Sequence, residues 1–356
     1  MTSFSYLLRW LGPWTSESEV PSGIDRTAIQ IDKRFEAWLY RPDRPTGAYL
    51  ISPGLHYAGP ADPRLDRFCR ILAGAGNVVL APFLPDYVAL TVRESVVEDL
   101  AQTFDALLQL PLPVRRPGVF SVSFGSLPAL RLASDPQRKS RVGALVVFGG
   151  YADFSAAIRH CVGVGAPGAP RDPLNQPVVL MNLLEDLESP PAETELVVRA
   201  WRSFVEATWG RPEMKSPERF LPLAERMGAD LPQDARRLYR VGVGLEPGVW
   251  PLCEPALVRR VDRSPFLDPR PWMGAVECPV HLVHGMDDDV IPPDQLTALF
   301  ESLPSGRART YLTGLFSHTG PDQGHSPTNK VRSAVRETRT LLGVLLALSR
   351  SGRNPR

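Results

Sequence analysis

Short uninterrupted apolar runs alternate with longer stretches in which apolar residues recur every three or four positions. The runs at 47–52, 77–81, 119–122 and 143–149 read as strands buried on both faces. The stretches between them read as helices. Over 62–75, Leu65, Phe68, Cys69, Ile71 and Leu72 keep helical spacing, and Ala75-Gly76 closes the helix. Over 92–109, Val96, Val97, Leu100, Phe104, Leu107 and Leu108 do the same, and Pro111 and Pro113 stop it. A third helix follows through Leu127, Leu130 and Leu132. Strand and helix thus alternate four times from 47 to 149, which predicts parallel strands joined by crossover helices on both faces. Ahead of this block, 27–32 and 34–41 read as two strands about a tight turn at Asp32-Lys33.

The pattern changes at about 151. Up to about 270 no strand of the earlier kind occurs. Helical spacing recurs over 176–187 and 193–209, with shorter pieces near 217–228 and 254–262 and Gly/Pro-rich loops such as 163–173 between them. Such a block is expected to cover the carboxyl ends of the strands, where ligands bind in open α/β sheets; a separate helical domain is the alternative. Its aromatic residues Trp201, Phe204, Trp209 and Phe220 fit cap packing first and pocket walls second. The α/β pattern then resumes with a strand at 279–284, a helix at 294–302, a strand at 309–312 and a helix at 328–349. The expected division is a core at 1–150, a helical cap at 151–270, the rest of the core at 271–350 and a disordered tail at 351–356.

Composition narrows the function classes. With 43% hydrophobic and 22% charged residues, the chain reads as an ordinary globular protein. A net charge of +1 and the lack of a long basic run speak against nucleic acid as a partner. No apolar run is long enough for a transmembrane span. The patch Tyr6, Leu7, Leu8, Trp10 and Leu11 is too short for a signal peptide and reads as a helix packed on the body. Cys69, Cys161, Cys253 and Cys278 lie far apart, as expected of buried free thiols in a reducing cytoplasm. Neither a metal-ligand spacing nor a cofactor fingerprint is present, so no metal and no cofactor are expected.

The candidate chemistry centres on Gly118-Val-Phe-Ser-Val-Ser-Phe-Gly-Ser126. A strand runs into a sharp turn and then a helix, with Ser123 at the tip. Small residues two before and two after, Ser121 and Gly125, let strand and helix backbones come together, as a nucleophile elbow requires. Alone, the motif also fits an ordinary strand-to-helix connection. Acyl transfer further needs a base neutral near pH 7 and an acid to orient it. His284-Gly-Met-Asp-Asp-Asp-Val-Ile-Pro292 follows a predicted strand and singles out Asp288, with Asp287, Asp289 and the more distant Asp153 as alternatives. His318, thirty residues beyond Asp288 on the loop after the last strand, is the candidate base, and His325 is its rival. His56 sits beside the Pro53-Gly54 turn, where it could line the site, whereas His160, His281 and His284 read as structural. The backbone N–H groups of Leu55 and Phe124 are the candidate oxyanion donors.

These residues, over roughly 34–150 and 270–349, resemble the α/β-hydrolase superfamily. The resemblance implies an eight-stranded, mostly parallel sheet with a cap inserted after the sixth strand. It also implies Ser123 as nucleophile, Asp288 as acid and His318 as base. Two positions depart from the family pattern: Ser121 replaces the first glycine of Gly-x-Ser-x-Gly, and the oxyanion loop reads Pro-Gly rather than His-Gly. The implied activity is hydrolysis of a carboxylic ester or related small acyl compound. A thioesterase, lactonase, C–C hydrolase or acyltransferase would use the same residues, and a non-catalytic ligand-binding protein is the remaining alternative.

Overall fold

The computed structural model describes residues 3–11, 24–164, 172–314 and 327–353. Eight strands form one sheet in the order β1-β2-β4-β3-β5-β6-β7-β8. They are β1 (Asp25–Ile31), β2 (Phe35–Arg41), β3 (Gly47–Ser52), β4 (Asn77–Pro82), β5 (Gly118–Val122), β6 (Ala144–Phe148), β7 (Val280–Gly285) and β8 (Ala308–Thr313). β2 runs antiparallel to both β1 and β4, and the other neighbours are parallel. This is the α/β-hydrolase fold. Each apolar run read from the sequence is a strand of the sheet.

Side chains along the central strands alternate between two cores, as the two-residue period of a strand requires. From β5 and β6, Val119, Leu145 and Val147 face a core that includes Leu100 and Phe104 of the helix Ser95–Gln109 and Leu127 of the helix Ser126–Ser134. Phe120 and Val146 face the opposite core, against Phe68 and Leu72 of the helix Pro63–Gly74 and Leu345 of the helix Pro327–Ser351. The central strands are largely apolar because both faces are covered, and Ser121 of β5 is buried with its apolar neighbours. The edge strand β1 is mostly exposed, which is why its apolar signal is weak.

Between β6 and β7 the described residues contain helices and no strand. Two of the longer of these helices escape the sequence pattern. Phe154–Cys161 begins at Asp153, whose carboxylate caps the helix by accepting the N–H of Ala156. Gln233–Gly242 buries Ala235, Leu238, Tyr239 and Val241, which are scattered among Arg236, Arg237 and Arg240. Trp201, Phe204 and Phe220 are buried within this helical layer. At the N-terminus, Ser3–Leu7 is helical and Leu7 is buried in the second core. All four cysteines are buried and unpaired. Among the described residues no helix is long and apolar enough to cross a membrane.

The C-terminal end corrects one expectation. The tail does not loosen at 351: Ser351 closes the last helix, Gly352 accepts the N–H of Ala48 at 2.9 Å, and Arg353 donates to the Ala75 carbonyl at 2.6 Å. Gly47, Gly118 and Gly352 leave room for this approach, since a Cβ on Gly118 would lie 2.8 Å from the Ser351 carbonyl oxygen.

Candidate active site

Ser123 follows β5 directly and has φ of 53°. A non-glycine residue in the left-handed region costs roughly 1–2 kcal/mol, and the surroundings hold it there. Tyr87 donates its hydroxyl to the Phe124 carbonyl at 2.7 Å, and Ser52 donates to the Gly125 carbonyl at 2.7 Å. Both hydroxyls are buried, so the turn is pinned at the two residues after the serine. Gly125 is required sterically: a Cβ there would lie 2.4 Å from the Ser52 oxygen and 2.5 Å from the Pro53 oxygen. Ser121 is tolerated because its side chain is buried toward β6, with its hydroxyl 3.4 Å from the Val146 carbonyl.

The loop after β3 leans against this turn. A Cβ on Gly54 would meet the Val122 carbonyl oxygen at 3.2 Å and the Ser123 Cβ at 3.4 Å. Leu55, Ser123 and Phe124 therefore open into one cavity of about 410 Å³. Its walls are mainly apolar, with Phe124, Phe154 and Ile158 on one side and Leu174, Val178 and Trp209 from the helical insertion. Of the four insertion aromatics singled out in the sequence, Trp209 is the one that reaches the cavity; its indole N–H donates to the Leu174 carbonyl at 3.1 Å.

His56 also lines the cavity. Its Nδ1 accepts the N–H of Ala58 at 3.1 Å, which places the ring proton on Nε2, 3.2 Å from Asp62. Burial pushes the His56 pKa down against the opposing pull of Asp62, so the ring is neutral at pH 7. Burial would raise Asp62, but the hydrogen bonds and charge of Arg64, together with His56, hold it below the usual carboxylate range. The Nδ1 lone pair is thus engaged, and Nε2, which carries the proton, faces Asp62 without a hydrogen bond to it, so the ring in this arrangement offers Ser123 no lone pair.

Asp288 lies just beyond β7 with its side chain largely covered. Oδ1 accepts the N–H groups of Val290 and Ile291, each at 2.9 Å. Oδ2 makes no comparable bond: His284 Nε2 is 3.6 Å away and is engaged with the Ile291 carbonyl at 2.9 Å. One oxygen anchors the carboxylate and the other is left to accept a hydrogen bond, the arrangement an orienting acid needs. Asp289 differs. It is fully buried and bound to Lys215 at 2.6 Å, and Lys215 also reaches Asp172 at 3.1 Å. Asp287 is exposed. Asp289 Oδ1 makes no hydrogen bond either; what separates Asp288 from Asp289 is that Asp289 is fully buried and neutralised by Lys215, whereas Asp288 has no lysine or arginine partner among the described residues.

The helical insertion clamps this acid loop, a feature with no signal in the sequence. His160 Nε2 is 3.2 Å from the Asp288 carbonyl, the Asp172 N–H donates to the Asp289 carbonyl at 3.2 Å, and the Cys161 thiol donates to the Val290 carbonyl at 3.1 Å. Burial would lower the Lys215 pKa, but Asp172 and Asp289 outweigh it and keep the ammonium charged. Lys215→Met is expected to cost about 2 kcal/mol in urea unfolding, below the range for a fully buried pair because Lys215 is partly exposed. The double variant Lys215→Met/Asp289→Leu is expected to recover most of that loss. An unchanged urea midpoint in the single variant would show that the clamp contributes nothing.

His318 and His325 lie outside the described residues. Of the histidines within them, His160 and His284 are engaged as above, and His281 stands on β7 with its Nδ1 3.4 Å from the Tyr311 hydroxyl. None of these three lines the cavity that holds Ser123.

No protein-family model and no curated protein matches the chain. Solved structures do. An acylaminoacyl peptidase in complex with Z-Gly-Gly-Phe-chloromethyl ketone aligns over 94% of this chain and 42% of its own length, at 12% identity and a TM-score of 0.49. A Mycobacterium tuberculosis puromycin-hydrolyzing peptidase aligns over 95% and 41%, at 17% identity and a TM-score of 0.48. A Pyrococcus furiosus esterase aligns over 94% of both chains, at 14% identity and a TM-score of 0.47. The chain spans about two fifths of the length of either peptidase. At these identities the likeness is one of fold, which the strand order already establishes.

Proposed function

We propose that the chain is a serine hydrolase acting on a carboxylic ester or related acyl compound with an apolar acyl group. The observation that carries this reading is the conformation of Ser123, held at φ of 53° on the tip between β5 and its helix and open to an apolar cavity. Backbone strain of this kind is maintained where a side chain must be presented to a ligand.

In the proposed reaction, Ser123 Oγ attacks the acyl carbonyl while His318 takes its proton. The N–H groups of Leu55 and Phe124 receive the developing oxyanion. His318 then protonates the leaving alcohol, and water, deprotonated by the same histidine, releases the acid and restores the serine. Asp288 Oδ2 accepts the other N–H of the imidazole and holds its tautomer. His318 is assigned by its position after β8 in the chain, and the engagement of the His56 Nδ1 lone pair by Ala58 supports a base from outside the described residues. The apolar walls, with the helical insertion as a cap over the strand ends, favour an apolar acyl chain over a charged one.

Intact-mass labelling with an alkyl fluorophosphonate tests this directly, because the probe reports an activated serine without requiring the substrate. One adduct is expected on the natural protein, with none on Ser123→Ala or His318→Ala and an undiminished one on His325→Ala. Failure of the folded natural protein to react would sink the hydrolase reading. Loss of labelling in His325→Ala but not in His318→Ala would move the base.

A further inference from the structure

A second concave site lies at the opposite pole of the sheet. The cavity containing Ser123 opens at the carboxyl ends of the strands, whereas the segments leading into β5, β6, β7 and β8 converge at their amino ends. They enclose a cleft of about 550 Å³ lined by Arg115, Arg116, Lys139, Ser140, Glu277 and Arg307. The strand register brings them together: Gly118 pairs with Ala144, Leu145 with Val280, and Val280 with Ala308. Each cation therefore sits one to five residues ahead of a strand that the sheet holds in fixed order.

The charge of this cleft is unbalanced. Glu277 is the single carboxylate among its lining residues, and it is taken by Lys139 at 2.8 Å. Arg115, Arg116 and Arg307 have no carboxylate within ion-pair distance among the described residues, leaving an excess of three positive charges. Neighbouring Arg138 shows what balance looks like, since Asp105 and Asp135 bind it at 2.7 and 2.5 Å. The fields of the cations overlap at Glu277: its partner Lys139 first, then Arg307 and Arg116, hold the carboxyl below its usual range.

We propose that this cleft binds a compact, multiply charged anion of the phosphoryl class. A guanidinium presents a planar fork that matches phosphate oxygens two at a time. A single carboxylate would neutralise one of three surplus charges, and an isolated exposed pair of that kind contributes about 1 kcal/mol or less. A diphosphate-sized group engages several cations at once. The volume lies within the usual range for small-ligand sites. Nucleic acid fits less well, because the cations are gathered in a cleft and the whole chain carries a net charge of only +1.

Equilibrium dialysis of the full chain with radiolabelled pyrophosphate tests the proposal. Binding to one site is expected at low ionic strength, weakening as salt is added. Arg116→Ala/Arg307→Ala is expected to lose about tenfold or more in affinity, and Ser123→Ala to bind like the natural protein. Both arginines are exposed, so the double variant keeps its fold, which circular dichroism verifies. Absence of pyrophosphate binding by the folded natural protein would overturn the proposal. So would equal binding by the double variant, or tighter binding of a short DNA duplex than of pyrophosphate.

Discussion

Replacing Ser123 with glycine is expected to abolish turnover and to make the protein slightly more stable. The first effect follows from the proposed role: without Oγ no acyl-enzyme forms, and the loss is on the order of a million-fold in kcat, the scale measured for the nucleophile of a serine protease. The second follows from the backbone. Ser123 occupies φ of 53°, which costs a Cβ-bearing residue roughly 1–2 kcal/mol. Glycine adopts the same φ freely but loses more entropy on folding, about 0.4–1 kcal/mol. The net expectation is a gain of about 0.5 kcal/mol, read as a higher urea midpoint at unchanged slope. Ser123→Ala is the control, because it removes Oγ and keeps the strained Cβ. Equal stability of the alanine and glycine variants would refute the idea that strain is stored at this position. Turnover surviving in either variant would refute the nucleophile.

Asp288→Asn is expected to lower kcat about ten-thousand-fold, the scale seen when the orienting acid of a triad loses its charge. The substitution is conservative in shape. The amide oxygen can keep both bonds from Val290 and Ile291, so the loop holds. The other atom changes from an acceptor to an NH₂ donor, and a histidine N–H facing it is left without an acceptor and in the wrong tautomer. Asp287→Asn is expected to leave kcat unchanged, because Asp287 is exposed. Asp289→Asn removes the partner of Lys215, so its effect is expected in the urea midpoint rather than in a ten-thousand-fold kinetic loss. Steady-state kinetics on one ester, with urea unfolding of each variant, separates the three. A larger kinetic loss at Asp289 than at Asp288 would reverse the assignment.

The sheet was legible in the chain because strands buried on both faces are mostly apolar, and those runs stand out. β3, β4, β5 and β6 announce themselves in this way, and β7 does so despite His281 and His284. The elbow was legible for a steric reason: Gly125 cannot carry a Cβ between the Ser52 and Pro53 oxygens, so the composition around Ser123 records the turn. The helix Gln233–Gly242 was not legible, because four buried positions among arginines leave a faint apolar stripe.

Candidate chemistry divides along the same line. Local sequence identifies residues that a turn or a strand end must present, such as Ser123, Leu55 and the aspartate run after β7. The motif singles out Asp288 but leaves Asp289 open by a one-residue shift, because the difference in their surroundings comes from elsewhere in the chain. Lys215, from the helical insertion, neutralises the buried Asp289 carboxylate, whereas Asp288 has no lysine or arginine partner among the described residues. The spacing likewise left His56 open as a pocket residue, and the bond that its Nδ1 accepts from Ala58 is what occupies its lone pair. The basic cleft at the amino ends of the strands is invisible in the chain, where Arg115 and Arg307 stand 192 residues apart. Periodicity and steric exclusion act over a few residues and are written into composition. Charge balance and hydrogen-bond commitment depend on which distant segments the sheet order brings into contact, and they emerge once the chain is folded.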